Sequence, residues 1–508
     1  MRKSAMSSRP ILALLLGGLL LTACCIAGSH AAAAFGMGGF GGRPMMGGGP
    51  MVARPGAAMT APRPGGGITV GRPPGQGGWP GRRPPFVGGG GGYVGGGGGG
   101  GPVGAGNSGG NRNNGGGGGG APQQGNRNFI PNEVITAFAP GTTPQAINQI
   151  ARQYELTQLD SQSFPLLGTS LYRWRLGGGR TVANTVRALG GERIVSSVQP
   201  NYVFTLQEET AKIAAGPHGD AAQYVLVKLQ SAQAQQIATG KDVLIAVIDS
   251  EIDARHPDLD GTVVKSFDPL GGNEKPHAHG TSMAGAIAAH GKLLGIAPGA
   301  QILAVHAFDD TPGVARGNSF AIYKGLQWAA DNGARVVNMS FAGPADPILQ
   351  RFLAAVYDKG IVLVAAAGNA GPKSDPLYPA ADPNVIAVTA TDSDDHLFQM
   401  ANRGRHIAVA APGVDIFALA PGDEYVFTTG TSIAAAHVSG VVALLLEHKP
   451  SLKPGEIRAA LTATAQPLGP PRPDSDFGAG LVSAYRAVMW LDRSPAAPPT
   501  DGGTQAKQ

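Results

Sequence analysis

Cysteine is almost missing from this chain: its 508 residues include two, Cys24 and Cys25, adjacent and close to the N-terminus. Everything downstream therefore has no disulfide, and its stability must come from packing or bound ions. Acid is missing in one place only. No Asp or Glu precedes Glu133, although that stretch holds 11 Arg and Lys; the rest carries 28 basic against 34 acidic residues. The pI of about 9.1 is thus a property of the front segment and does not argue for a nucleic-acid partner. Large apolar residues are scarce from Phe35 to Asn128, and 40 of the chain's 80 Gly lie between Gly36 and Gly125. Such a stretch cannot bury enough surface to offset its ordering entropy. Metal signatures are missing as well. No third ligand block with zinc spacing joins His277 and His279, and there is no D-x-[DN]-x-[DN]-G loop.

What is present divides into six parts. Residues 1–31 read as an export signal: Arg2, Lys3 and Arg9 precede an apolar run from Ile11 to Leu21 that is too short to span a bilayer permanently. Leu21-Thr22-Ala23-Cys24 resembles a bacterial lipobox, which would lipidate Cys24. Ser29-His30-Ala31 offers an ordinary cleavage site instead. The first reading gives an anchored lipoprotein of the outer membrane or periplasm, the second a freely exported or extracellular protein. Residues 32–128 read as a disordered Gly/Arg/Pro-rich linker. Its eight arginines from Arg43 to Arg127 either hold an anionic surface or belong to a soluble spacer.

Residues 129–208 regain order. Val134–Phe138 reads as a strand, and Thr143-Pro144 caps a helix whose apolar face is Ile147, Ile150, Ala151 and Tyr154. Ser170–Leu176 is a strand with Tyr172, Trp174 and Leu176 on one face; Thr181 opens a second helix, and Val198–Leu206 is the last strand. The order suits a ferredoxin-like β-α-β-β-α-β module, of which three strands can be placed. Residues 209–223 are a polar, Ala/Gly-rich connection.

From 224 to 490 strands and helices alternate as in a parallel α/β sheet. Strands are expected at Val243–Ile248, Gln301–His306, Arg335–Met339, Ile361–Ala365, Val385–Thr389 and Ile407–Ala410. Helices are expected at His279–His290, Ser319–Asn332, Pro347–Lys359, Thr431–His448 and Pro454–Ala463. Residues 491–508 read as an unstructured tail. Asp249 ends an apolar strand, where open α/β sheets place active-site groups. His279 and Ser432 each open a helix rich in Ala and Gly, and a helix N-terminus favours negative charge.

Asp249-Ser250, His279-Gly280-Thr281-Ser282-Met283-Ala284-Gly285 and Gly430-Thr431-Ser432-Ile433-Ala434 supply Asp, His and Ser in that order. With His256-Pro257-Asp258-Leu259, Gly295-Ile296-Ala297-Pro298, Val337-Asn338-Met339-Ser340 and Ala365-Ala366-Ala367-Gly368-Asn369, they resemble the blocks of the subtilisin-like serine peptidases, from Tyr224 to Val488. The resemblance implies a three-layer α/β domain with a mostly parallel central sheet. It also implies that 129–208 is an inhibitory pro-domain and 209–223 its processing linker; the plain alternative is a binding module. Ser432 would be the nucleophile, His279 the general base and Asp249 the group that orients it. Asn369 would share the oxyanion with the Ser432 backbone N–H.

Protein or peptide substrate would add a strand beside Ser340, Phe341, Ala342 and Gly343. The pocket for the residue before the cut would be bordered by Ala342, Gly343, Ala366, Ala367 and Gly368, which are small and uncharged and suit a sizeable apolar side chain. No cofactor is implied for catalysis; family calcium sites use scattered oxygens, which leaves structural calcium open. Two departures stand out. Glu251 replaces the usual Gly after Asp-Ser, at a cost of roughly 1 kcal/mol if φ is positive, and as a second carboxylate near Asp249 it would raise the histidine's pKa. Ala436 replaces the Pro before His437, a mild change because Ala is a good helix former. His256 and His437 read as packing residues. The rival to a peptidase is a catalytically silent, tethered binding protein, and keeping Asp249, His279, Ser432 and Asn369 together argues against it.

Overall fold

The computed structural model describes residues 128–206, 209–211 (backbone only), 223–272, 275–309, 315–470 and 474–493. The leader with Cys24, the linker up to 127, most of 209–223 and the tail from 494 lie outside them. The N-terminal part comprises β1 (Phe129–Phe138), α1 (Pro144–Gln153), β2 (Leu156–Phe164), β3 (Thr169–Leu176), α2 (Val182–Leu189) and β4 (Val195–Leu206), followed by β5 (Glu209–Ala211). Then come α3 (Tyr224–Lys228), α4 (Ser231–Gln235), β6 (Leu244–Asp249), β7 (Val263–Phe267), α5 (Ala278–Ala288), β8 (Gln301–His306), β9 (Phe308–Asp309) and β10 (Arg316–Asn318). After these lie α6 (Ser319–Asp331), β11 (Val336–Met339), β12 (Phe341–Ala342), α7 (Pro347–Asp358), β13 (Val362–Ala366), β14 (Val385–Thr391) and β15 (Ile407–Pro412). The chain continues through β16 (Ile416–Ala420), β17 (Glu424–Thr429), α8 (Thr431–His448), α9 (Pro454–Thr464) and α10 (Ala484–Arg493).

The central sheet runs β15-β14-β13-β11-β6-β8-β7 and is parallel throughout. Its strands, the exposed edge strand β7 excepted, are apolar on both faces because helices cover both. On β6, Ile245 and Val247 join α5 and α8 in one core, while Ala246 and Ile248 join α6 and α7 in the other. The 18-residue helix α8 is buried along nearly its whole length.

The N-terminal sheet is antiparallel in the order β2-β3-β1-β4. The strand the sequence did not place is β2, a polar edge strand with only its two ends, Leu156 and Phe164, buried. Thr143 and Thr181 cap their helices as expected, accepting from the backbone N–H groups of Ala146 and Asn184. At the other end the expected boundary needs correction. The last helix runs past Trp490 to Arg493, since Leu491 is buried and its carbonyl accepts from Lys449 Nζ. The segment 209–223 is likewise not all loop: β5 pairs with β17.

Candidate active site

Asp249 is the last residue of β6 and is fully buried. Its Oδ1 accepts three hydrogen bonds: from Ser250 N at 2.8 Å, Ser250 Oγ at 3.2 Å and His279 Nδ1 at 2.6 Å. A carboxylate cannot donate, so Nδ1 carries the proton and Nε2 is the nitrogen left with a lone pair. His279 lies in the first turn of α5, whose cap is the His277 side chain: its Nδ1 accepts from His279 N at 3.2 Å. Gly280 must be glycine, because a Cβ there would stand 2.4 Å from the Ser250 carbonyl oxygen. The helix thus begins in contact with the strand that ends in Asp249.

Ser432 sits one residue into α8. It is tied to Ser340 in both directions: Ser432 Oγ donates to Ser340 O, and Ser340 Oγ donates to Ser432 O, each at 3.0 Å. Asn369 follows β13, and its Oδ1 accepts from Thr431 N at 3.1 Å and Thr431 Oγ1 at 2.8 Å. With the carbonyl end fixed on Thr431, the donating Nδ2 is turned to the opposite side. Gly368, at φ +107°, makes the turn that sets this amide and donates to Thr431 Oγ1 at 3.0 Å.

Ser340, Phe341, Ala342 and Gly343 lie along one side of a cleft that the chain itself occupies. β12 pairs antiparallel with β4, Phe341 opposite Leu206 and Ala342 opposite Thr205. On its other edge β4 pairs with β10, Gly317 opposite Phe204. Phe204 is fully buried, its ring edge-to-face with Phe341 at 5.8 Å. After Leu206 the backbone reappears at β5, antiparallel to Phe427–Thr429 of β17. Sequence reasoning missed both β10 and β17. β10 is three residues, Arg-Gly-Asn, with no periodicity, and exists through its pairing.

Ala366 and Ala367 are fully buried and Ala342 nearly so, with Gly368 next in line. Glu251 is not among the side-chain-bearing residues with positive φ, so the backbone cost expected there does not arise. Its carboxylate faces His306 Nδ1 at 3.6 Å, and Asp268 lies 3.7 Å from the same nitrogen. Burial pushes the Glu251 carboxyl up, His306 opposes this and Asp268 adds to it. His306 stands opposite Asp249 in register and carried no local signal in the sequence. His256 caps a short turn through Nδ1 accepting from Asp258 N, and His437 Nδ1 donates to Pro412 O at 3.0 Å. Burial lowers the His437 pKa to about 4. Ala436 is buried inside α8. No group of three or more His, Cys, Asp or Glu among the described residues is arranged to hold a metal ion.

Similarity to known proteins gives the family. The profile of the Subtilase family matches residues 240–480. Thermitase of Thermoactinomyces vulgaris is 37% identical over 282 residues, 54% of this chain and 98% of its own length. Fervidolysin of Fervidobacterium pennivorans is 36% identical over 309 residues, 53% of this chain and 43% of that protein. Its crystal structure, described as that of a keratinolytic enzyme related to subtilisin, superposes with a TM-score of 0.61 at 28% identity, covering 71% of this chain and 61% of that one. In sequence the present chain thus matches less than half of fervidolysin but nearly all of thermitase, and on these matches it belongs to the subtilase family of serine peptidases.

Proposed function

We propose that the chain is an exported serine endopeptidase made as a self-processing precursor. The observation that carries this is the strand β4, threaded between β12 and β10 at the mouth of the site, with β5 continuing on β17 beyond it. A cleft that takes a chain entering on one side and leaving on the other suits cleavage within polypeptides, with main-chain pairing supplying affinity. In the reaction, Ser432 Oγ attacks the peptide carbonyl and His279 Nε2 takes its proton. Asp249 keeps the proton on Nδ1 and stabilises the imidazolium. Asn369 Nδ2 and the Ser432 N–H hold the oxyanion. His279 then gives its proton to the departing amine, and water repeats the sequence on the acyl-enzyme.

The N-terminal module would be both first substrate and inhibitor. It holds the catalytic part through Gln199 Nε2 donating to Asp346 Oδ1 at 2.8 Å, through the Lys324–Asp160 pair at 2.5 Å, and through Phe164 between Phe320 and Phe352. Cleavage between Leu206 and Glu209 would free an enzyme of about 30 kDa from leader and linker. The export signal, and Cys24 if it is lipidated, would hold the precursor at the cell envelope until then. Wild-type protein should yield a new N-terminus in this interval, and Ser432→Ala should stay whole with no peptide hydrolysis. A Ser432→Ala chain cut at the same bond would overturn self-processing, and one that still hydrolyses peptides would overturn the serine mechanism.

A further inference from the structure

Two supports hold Asn369, and they come from different parts of the fold. From α8, Thr431 takes the side-chain oxygen of Asn369 and, through Oγ1, the Gly368 N–H. The second support is Asn402, which is fully buried in the segment between β14 and β15. Asn402 grips the residue on each side of Asn369: its backbone N–H donates to Gly368 O at 2.9 Å, and its side-chain Oδ1 accepts from Ala370 N at 2.8 Å. Its Nδ2 donates to Ser374 Oγ at 3.4 Å, and just beyond, Gly371 N donates to Met400 O at 2.8 Å. The gripping segment is itself fixed to the parallel sheet, since Phe398 N donates to Ala390 O of β14 at 2.9 Å and Ala401 N to Phe398 O at 3.0 Å.

Gly368 O belongs to the peptide plane before Asn369, and Ala370 N to the plane after it. Planar peptides leave only φ and ψ soft, so fixing both planes fixes the direction in which the Asn369 side chain leaves the backbone. An oxyanion donor acts through where it points, and it must be in place before charge develops. We propose that Asn402 is a positioning residue for the reaction: it sets both peptide planes around Asn369 and so aims the amide that shares the oxyanion, without itself touching substrate. The proposal rests on the serine-peptidase reading and on the oxyanion role given there to Asn369. Misplacing a reacting or stabilising group by about 1 Å can cost on the order of 10²-fold in rate.

The test measures kcat, KM and Tm on protein expressed as the full chain, together with the affinity of a peptide aldehyde. Ser432 Oγ adds to the aldehyde carbon, its proton passes to His279 Nε2, and the aldehyde oxygen becomes the oxyanion, so this affinity reports the same donors as kcat. Asn402→Ala keeps the backbone bond to Gly368 and releases Ala370 N. It should lower kcat by about 10–10²-fold and weaken the aldehyde by the same factor, with KM nearly unchanged. Asn369→Ala and the double variant should be equally slow, because an amide that is absent cannot be misaimed. An Asn402→Ala variant with wild-type kcat, or one whose loss multiplies with that of a slow Asn369→Ala, overturns the proposal and leaves the peptidase reading intact. Wild type that neither hydrolyses peptides nor binds the aldehyde overturns the two together. Should Asn402→Ala show no folding transition, Asn402→Leu, which fills similar space without an acceptor, decides by the same criteria.

Discussion

The parallel sheet is covered on both faces by helices of its own domain, whereas the N-terminal sheet is covered on one face by its own helices and on the other by its neighbour's. The module's private core is nine buried residues: Val134, Phe138, Ile147, Ile150, Leu156, Trp174, Leu176, Val182 and Leu189. On its other face Ile135, Ala137, Phe164 and Leu171 belong to the same core as Phe320, Ile348 and Phe352. A module of this size buries too little alone to be robust. Its fold and its docking are therefore one equilibrium, a property suited to an inhibitor that must later be lost.

The hardest way to break this contrast is Phe164→Ala. The ring is fully buried, edge-on to Phe320 at 6.0 Å and Phe352 at 5.1 Å. Its loss should cost about 3–5 kcal/mol, most of it as docking energy, so that roughly 10²-fold or more free module is needed to inhibit. Titrating the active enzyme with separately made module, native and variant, checks this; equal inhibition would mean that the shared core does not hold the two parts together.

Asn369→Ala should strike the other side of the comparison. Removing an oxyanion donor costs on the order of 10²–10³ in kcat, with KM nearly unchanged, and should leave inhibition by the module as it was. A variant within about tenfold of wild type would remove Asn369 from the mechanism.

Acid should separate the parts further, because the described module contains no His while the catalytic core buries His437. Burial depresses the His437 pKa to about 4, against about 6.5 in an unfolded chain. The unfolded state therefore binds the extra proton first as pH falls. The contribution is whole above about pH 6.5, declines between there and pH 4, and is constant below. This amounts to about 3 kcal/mol. Denaturation of the protein from pH 7 to 4 should show that slope, flattened in His437→Gln; an unchanged slope in the variant would assign it elsewhere.

Strong periodicity and chemistry made much of this legible in sequence. β8 and α8 fall at their expected bounds, because a continuous apolar run and a long Ala-, Val- and Leu-rich stretch carry their own signals. β2 was hidden because a polar edge strand paired on one side has few buried residues to betray it. β10 and β5 exist through tertiary pairing, and no local pattern encodes them. The cost assigned to Glu251 came from a residue type rather than a φ angle, and the chain meets that position with ordinary backbone and a His306 partner.

The smallest expected effect lies at the far end of α8. One carboxylate oxygen, Glu447 Oε2, accepts from three successive backbone N–H groups: Thr239 at 2.6 Å, Gly240 at 2.5 Å and Lys241 at 2.9 Å. These residues lead into β6, so the contact ties the end of α8 to the start of the strand that finishes in Asp249. Gln at this position keeps an acceptor but loses the charge that strengthens all three bonds. Glu447→Gln should cost about 1–2 kcal/mol, a fall of roughly 2–8 °C in Tm for a domain of this size. Ser432 is about 22 Å away along the helix, beyond the screening length at physiological salt, and kcat at 25 °C should not move. A lowered kcat with an unchanged Tm would mean that this clamp positions the nucleophile instead of only stabilising the helix that carries it.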